Sequence, residues 1–205
     1  MFLYKTLAKE GTAQIEILRS KFIGHAMPVA DREEAEAYLQ DIRQQYKDAT
    51  HNVPAMVIGD KSQIQWASDD GEPQGTSGAP MVKLLVEEGL TNCIIVVTRY
   101  FGGTKLGTGG LVRAYTACAK AAIEDAGIRE VEERLRVTVA YDYTFGDRLD
   151  KILAERGFAV EGKDYTDVIT SRILARSEER EDLLSLLQEA TKGSFRILGE
   201  EVFAG

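Results

Sequence analysis

Residues 92–99 contain Cys-Ile-Ile-Val-Val-Thr, a continuous run of apolar, β-favouring side chains. The strict alternation of a half-solvated strand is missing, so the segment reads as a strand buried on both faces. The flanking patterns are more ordinary. Over residues 13–29, Ile15 and Ile17, then Phe22 and Ile23, alternate with polar neighbours. This predicts one long strand, or two that meet near residues 19–20. Asp31 is a good N-cap for a helix whose first turns hold Glu33, Glu34 and Glu36, where carboxylates suit the helix dipole. Ala35, Leu39, Ile42 and Tyr46 give that helix an apolar face at helical spacing. Residues 52–59 and 63–67 bracket Gly59-Asp60-Lys61-Ser62, which predicts a hairpin.

Next come two segments rich in glycine. Residues 68–80, SDDGEPQGTSGAP, are almost devoid of apolar side chains and read as a loop, with a short helix over 81–88 that stops at Gly89. Residues 100–115, YFGGTKLGTGGLVRAY, follow the buried strand and lead into a helix over about 109–126 that ends at Gly127. Residues 128–135 carry five charges of both signs and read as a surface linker. Beyond them, residues 136–143, 157–165, 168–175 and 194–203 read as strands, and 145–156 and 178–191 as helices. The order β-α-β-β-α-β is that of a ferredoxin-like unit. The chain is therefore expected to be α+β with two domains, residues 1–130 and 135–205.

The net charge of −8 argues against the chain as a whole coating nucleic acid, while leaving room for a local basic patch. The two cysteines, Cys93 and Cys118, fall in apolar surroundings and read as small buried hydrophobes. The first residues lack the apolar core of a signal peptide, and no stretch approaches the ~20 apolar residues that span a bilayer. A cytoplasmic protein with no membrane partner is expected.

Two sets of side chains can carry chemistry. In the first glycine segment Asp69, Asp70 and Glu72 suggest a site for a hard cation, but they lack the spacing of a calcium loop, so the metal is left unknown. Thr76 or Ser77 can cap the following helix. In the second segment Gly102, Gly103, Gly107, Gly109 and Gly110 precede a helix start, where free N–H groups and the helix dipole favour an anion. Arg99, Lys105 and Arg113 add positive charge, and Tyr100, Phe101 and Tyr115 can stack on a base or ring. The loop matches neither the Walker A nor the dinucleotide fingerprint; glycines that merely allow a tight strand-to-helix crossover explain it equally. His25 and His51 have no nucleophile beside them, and no serine sits in a nucleophile elbow. No catalytic residue and no cofactor are assigned.

SDDGEPQGTSGAPM followed by VVTRYFGGTKLGTGGLVRAY resembles the signature of the IMPACT/YigZ family, and the resemblance extends over the whole chain. It implies a first domain like a ribosomal-protein α/β sandwich with a left-handed βαβ crossover, in a superfamily shared with the GHMP kinases. It implies a second, ferredoxin-like domain similar to the C-terminal domain of elongation factor G. For function it implies a non-catalytic binding protein that contacts RNA, the ribosome or a translation-related protein and regulates translation. Two alternatives stand beside it. One is a phosphate- or nucleotide-binding enzyme of GHMP-like geometry, with magnesium held by Asp69, Asp70 or Glu72. The other is a protein-interaction module.

Overall fold

In the computed structural model, which describes all residues from Met1 to Gly205, the apolar run forms the central strand of a five-stranded sheet. In chain order the elements are β1 (Phe2–Leu7), β2 (Gly11–Ile17), β3 (Ser20–Pro28), α1 (Arg32–Gln45), β4 (His51–Ile58), β5 (Ile64–Ala67), α2 (Gly78–Glu87), β6 (Cys93–Tyr100) and α3 (Thr108–Ala126). They continue with β7 (Ile128–Tyr141), α4 (Gly146–Glu155), β8 (Ala159–Tyr165), β9 (Ile169–Arg176), α5 (Arg180–Ala190) and β10 (Phe195–Ala204). The chain divides into two compact units, Tyr4–Glu130 and Val131–Gly205, the latter joined by Met1–Leu3. The architecture is α+β.

In the larger unit the sheet order is β2-β3-β6-β4-β5, with every neighbouring pair antiparallel. Alternate residues of β6 face opposite layers. Cys93, Ile95 and Val97 pack in one cluster with Met81 and Leu85 of α2 and Leu111, Cys118 and Ala122 of α3. Ile94 and Val96 pack in the other with Ala35, Leu39 and Ile42 of α1. That two-sided cover is why β6 shows no polar alternation, since each of its fully buried aliphatic side chains contributes roughly 1.5–3 kcal/mol. Of the two readings of residues 13–29, the structure shows two strands that meet near residues 19–20: Leu18 and Arg19, at φ 47° and 65°, turn β2 into β3 with the left-handed backbone that suits twisted strands.

The second sheet has five strands, in the order β1-β7-β9-β8 with β10 also paired to β7; within it, β10-β7-β9-β8 is the antiparallel arrangement of a ferredoxin-like βαββαβ unit. One sheet face is covered by Leu149 and Leu153 of α4 and Leu183 and Leu187 of α5, which meet Val137, Val139 and Ile173. Among the half-buried and exposed side chains of this sheet, Arg136 bridges Glu161 and Glu201, and Arg172 pairs with Asp164 at 2.6 Å. Here the linker expected over residues 128–135 is corrected. It is the first half of the 14-residue strand β7. Val131 and Leu135 are only 2% and 3% exposed, while the charges between and around them take the exposed and half-buried positions. Composition alone hid the two inward residues. No helix of the chain is long and apolar enough to cross a membrane.

Candidate functional site

The two glycine-rich segments leave the same side of the larger unit, one between β5 and α2 and the other between β6 and α3. They are joined by a buried ion pair. Arg99, from the end of β6, donates from Nη1 to Glu72 Oε1 at 2.6 Å, with the two side chains 5% and 3% exposed. Tyr115 of α3 donates its hydroxyl to the same oxygen at 2.6 Å. Arg99 Nη2 reaches Ser20 Oγ at 3.3 Å. The guanidinium lies over the rings of Phe22 and Phe101, 5.3 and 5.5 Å from their centroids. His51 Nδ1 is 2.7 Å from the carbonyl oxygen of Asp70, which can only accept, so this nitrogen carries the proton. Its Nε2 is 3.8 Å from Glu72 Oε2.

The three acids of the first segment do not converge. Asp69 accepts from Gly75 N, Ser77 N, Ser77 Oγ and Gly78 N at 2.7–3.1 Å. Burial raises its pKa, but these hydrogen bonds, that from the Ser77 hydroxyl foremost, outweigh burial and hold it below the ordinary carboxylate value. Asp70 accepts from Asn52 N at 2.6 Å and from Arg43 at 3.3 Å. Glu72 faces Arg99. No three His, Cys, Asp or Glu side chains are grouped so as to hold a metal ion. The cap of α2 also differs from expectation. Ser77 is the N-cap but makes no side-chain cap bond, and Thr76 Oγ1 turns back to Pro73 O at 2.6 Å. Asp69, from eight and nine residues upstream, satisfies the N–H groups of Ser77 and Gly78 instead. α2 accordingly starts at Gly78, ahead of the expected 81.

The second segment forms the wall of a cleft of about 320 Å³, lined by Glu72, Pro73, Arg99, Phe101 and the turn from Lys105 to Thr108, with Leu111 beneath. Gly102 N donates to Ser20 Oγ at 3.2 Å, and Gly103 and Gly107 have φ of 84° and 71°, the region that favours glycine. Gly107 is the N-cap of α3 and offers no side-chain cap. The N–H groups of Thr108, Gly109 and Gly110 are therefore left open, as at any uncapped helix start. Lys105 and Arg113 are exposed.

The stacking candidates separate cleanly. Tyr115 is fully buried, edge-on to Phe22 at 5.3 Å, and burial, then the bond to Glu72, push its pKa well above the usual value. Tyr100 donates to Asp48 at 2.9 Å and lies under Lys21 at 4.8 Å. Phe101 is 47% exposed and lines the cleft. Of the three cations, Arg99 is spent on Glu72, whereas Lys105 and Arg113 remain accessible. Ser20, His51, Arg43 and Asn52 belong to this constellation too. Nothing in the local sequence marks them, because their partners lie 18–82 residues away.

Comparison with known proteins places the chain in a family. The model of the Impact N-terminal domain matches residues 18–123, which includes both glycine-rich segments. The chain is 36% identical over 190 residues to the IMPACT family member YvyE of Bacillus subtilis (strain 168), covering 93% of this chain and 88% of that one. It is 31% identical over 188 residues to the IMPACT family member YigZ of Escherichia coli (strain K12), covering 91% and 92%. A solved crystal structure, described as that of a hypothetical protein, shares 30% identity with a TM-score of 0.64 over 97% of this chain and 98% of its own.

Proposed function

We propose that this chain, which belongs to the IMPACT family, is a non-catalytic, cytoplasmic binding protein that takes single-stranded RNA, in the setting of the ribosome or of a translation factor, at the cleft between its two glycine-rich loops. One observation carries the reading. Phe101 is 47% exposed beside an uncapped helix start and Lys105. An aromatic ring for a base and backbone donors with a cation for a phosphate are the parts that single-strand recognition uses. The buried Arg99–Glu72 pair supports the ring and the loop rather than meeting the ligand.

The test is binding of a short oligoadenylate by fluorescence anisotropy at several salt concentrations. Phe101→Ala is expected to weaken binding by about 1–3 kcal/mol, the range for one stacked base. Lys105→Ala is expected to weaken it less and to flatten its salt dependence. If the protein shows no salt-sensitive association with RNA or ribosomes, or if Phe101→Ala binds like the parent, the reading fails. The GHMP-like enzyme gains no support from the site, since Asp69, Asp70 and Glu72 are each engaged by other protein groups. Calorimetric titration is expected to show that added magnesium does not strengthen whatever ATP or GTP binding the cleft allows.

A second reading, protein interaction, draws on the smaller unit. β10 pairs with β7 alone, and Ile197, Leu198 and Val202 stand exposed along it. An unpaired edge strand of this kind invites an added strand. A partner retained after nuclease treatment by the full chain, and lost with Leu198→Glu, would favour it over RNA.

A further inference from the structure

We infer that the cleft prefers purine bases to pyrimidines, because Arg99 sits behind the ring on which a base stacks. The inference rests on the RNA reading proposed above. Arg99 does not touch the ligand; it is a positioning residue that acts through Phe101. Phe101 is 47% exposed, yet its backbone is held on both sides. Its N–H donates to Thr50 Oγ1 at 3.0 Å, and the N–H of Thr50 donates to the carbonyl oxygen of Arg99 at 2.9 Å. The next residue, Gly102, donates to Ser20 Oγ at 3.2 Å. It packs so closely on Arg19 that a Cβ would fall 2.1 Å from that backbone. A ring fixed in advance loses less freedom on binding. The Arg99 guanidinium lies over this ring, 5.5 Å from its centroid, and over that of Phe22 at 5.3 Å. Covering a buried guanidinium accounts for the inner face of Phe101. It does not account for the outer face, left open in a cleft that Pro73, Leu106 and Leu111 also line.

The charge behind the ring decides what stacks on its front. A phenyl ring alone is negative on its faces and positive at its edge. A cation against one face draws that negative charge toward itself. The open face is left less negative, and it then suits a partner ring that is polarisable and rich in π electrons. Purines meet that description better than uracil, whose carbonyl groups withdraw electron density. Purines also offer the larger contact area. The area part of the preference belongs to any phenyl ring; the charge part belongs only to a ring backed by a cation. Glu72, bonded to Arg99 Nη1 at 2.6 Å, offsets some of the charge. The charge part is therefore set at the lower end of the cation–π range. Preferences of this kind come from stacking strength, without hydrogen bonds to the base edge.

The experiment compares adenylate and uridylate tetramers by fluorescence anisotropy at one salt concentration, for the full chain and two variants. The parent is expected to bind the adenylate tetramer about fivefold or more tighter. Phe101→Leu, an exposed apolar replacement without a π face, is expected to remove that preference. A double variant, Arg99→Met with Glu72→Met, removes the cation without stranding a charge, and its melting curve shows whether it is folded. Its adenylate-to-uridylate ratio is expected to fall by about two- to fivefold, equivalent to about 0.5–1 kcal/mol. Adenylate strands stack on themselves, but that cost is the same for every variant and cancels from the change in ratio. If Arg99 only propped up Phe101, both tetramers would weaken alike and the ratio would hold. Equal binding of the two tetramers by the parent, a preference that survives Phe101→Leu, or a folded double variant with the parent's ratio overturns the inference. Should the double variant not fold, the Phe101→Leu ratio still decides. If the parent binds both tetramers equally and Phe101→Ala weakens both, the RNA reading stands and only the purine preference falls. If neither tetramer binds, the RNA reading falls and the inference falls with it.

Discussion

Arg99 and Glu72 show how a residue's partner decides its role. By sequence the first belongs with phosphate ligands and the second with cation ligands. In the fold they satisfy each other, out of water, with Tyr115, Ser20 and two aromatic rings around them. A buried pair gains little net stability over an apolar replacement, but loss of one partner strands a charge. Glu72→Ala is therefore expected to destabilise the larger unit by about 3–5 kcal/mol, measured by urea unfolding. A double variant with methionine at both positions is expected to recover much of that loss. A single-variant cost below about 1 kcal/mol would show that the pair is not desolvated as described. The cysteines give a second expectation at this scale. Burial pushes the Cys93 and Cys118 thiols up to about 12, and the thiolate is the reactive form. Both are expected to resist alkylation at pH 8 in the native protein and to react on unfolding, read by mass spectrometry.

At the level of elements, the first glycine-rich loop is a cap that folds back from a distance. Asp69 holds Gly75, Ser77 and Gly78, and so ties the loop to the head of α2. Asp69→Asn is expected to cost about 0.5–2 kcal/mol at neutral pH, the range for a lost cap. The pH dependence follows from the sign of the shift. The folded-state pKa of Asp69 lies below the ordinary value of 3.8. Its contribution is thus fully present above 3.8 and is lost as pH falls through the lower folded value. The stability gap between the parent and Asp69→Asn should be constant near neutrality and close in acid; a gap independent of pH would rule out the carboxylate as the cap.

The same loop shows where sequence reading stops. Periodicity located β6, α1, the β4–β5 hairpin and the whole β-α-β-β-α-β order, because each is a local pattern of inward side chains. It missed the start of β7, where Val131 and Leu135 are too few among charges to show a period, and it placed the cap of α2 on Thr76 or Ser77, the nearest residues of the right type. Of the site, Lys105, Phe101 and the open helix start were readable from the strand-loop-helix order. Tyr115 and Arg99 were not separable from them, since whether a side chain faces the core or the cleft depends on Ser20, Glu72 and Phe22, which arrive from other elements.

For the whole molecule the difficulty is charge. The chain carries −8, so an anionic strand meets long-range repulsion that salt screens within about 10 Å at 0.1 M. The proposed contacts are few: the open N–H groups of α3, Lys105 and Arg113. Counterion release then limits how steeply binding can fall with salt, at about −0.7 per phosphate neutralised on a single strand. With one or two phosphates engaged, a plot of log affinity against log salt should have a slope of roughly −0.7 to −1.4. Repulsion from the rest of the acidic surface weakens as salt rises, and this makes the observed slope shallower still at the lowest salt. Arg113→Ala removes one cation from the contact and is expected to reduce the slope by up to about 0.7, together with a loss of affinity, while Phe101→Ala lowers affinity at every salt and leaves the slope unchanged. Titrations at four or five salt concentrations separate these outcomes. A slope several times steeper would mean that a broad basic surface, which this chain does not display at the cleft, carries the binding. A slope of zero would mean that no phosphate is held there.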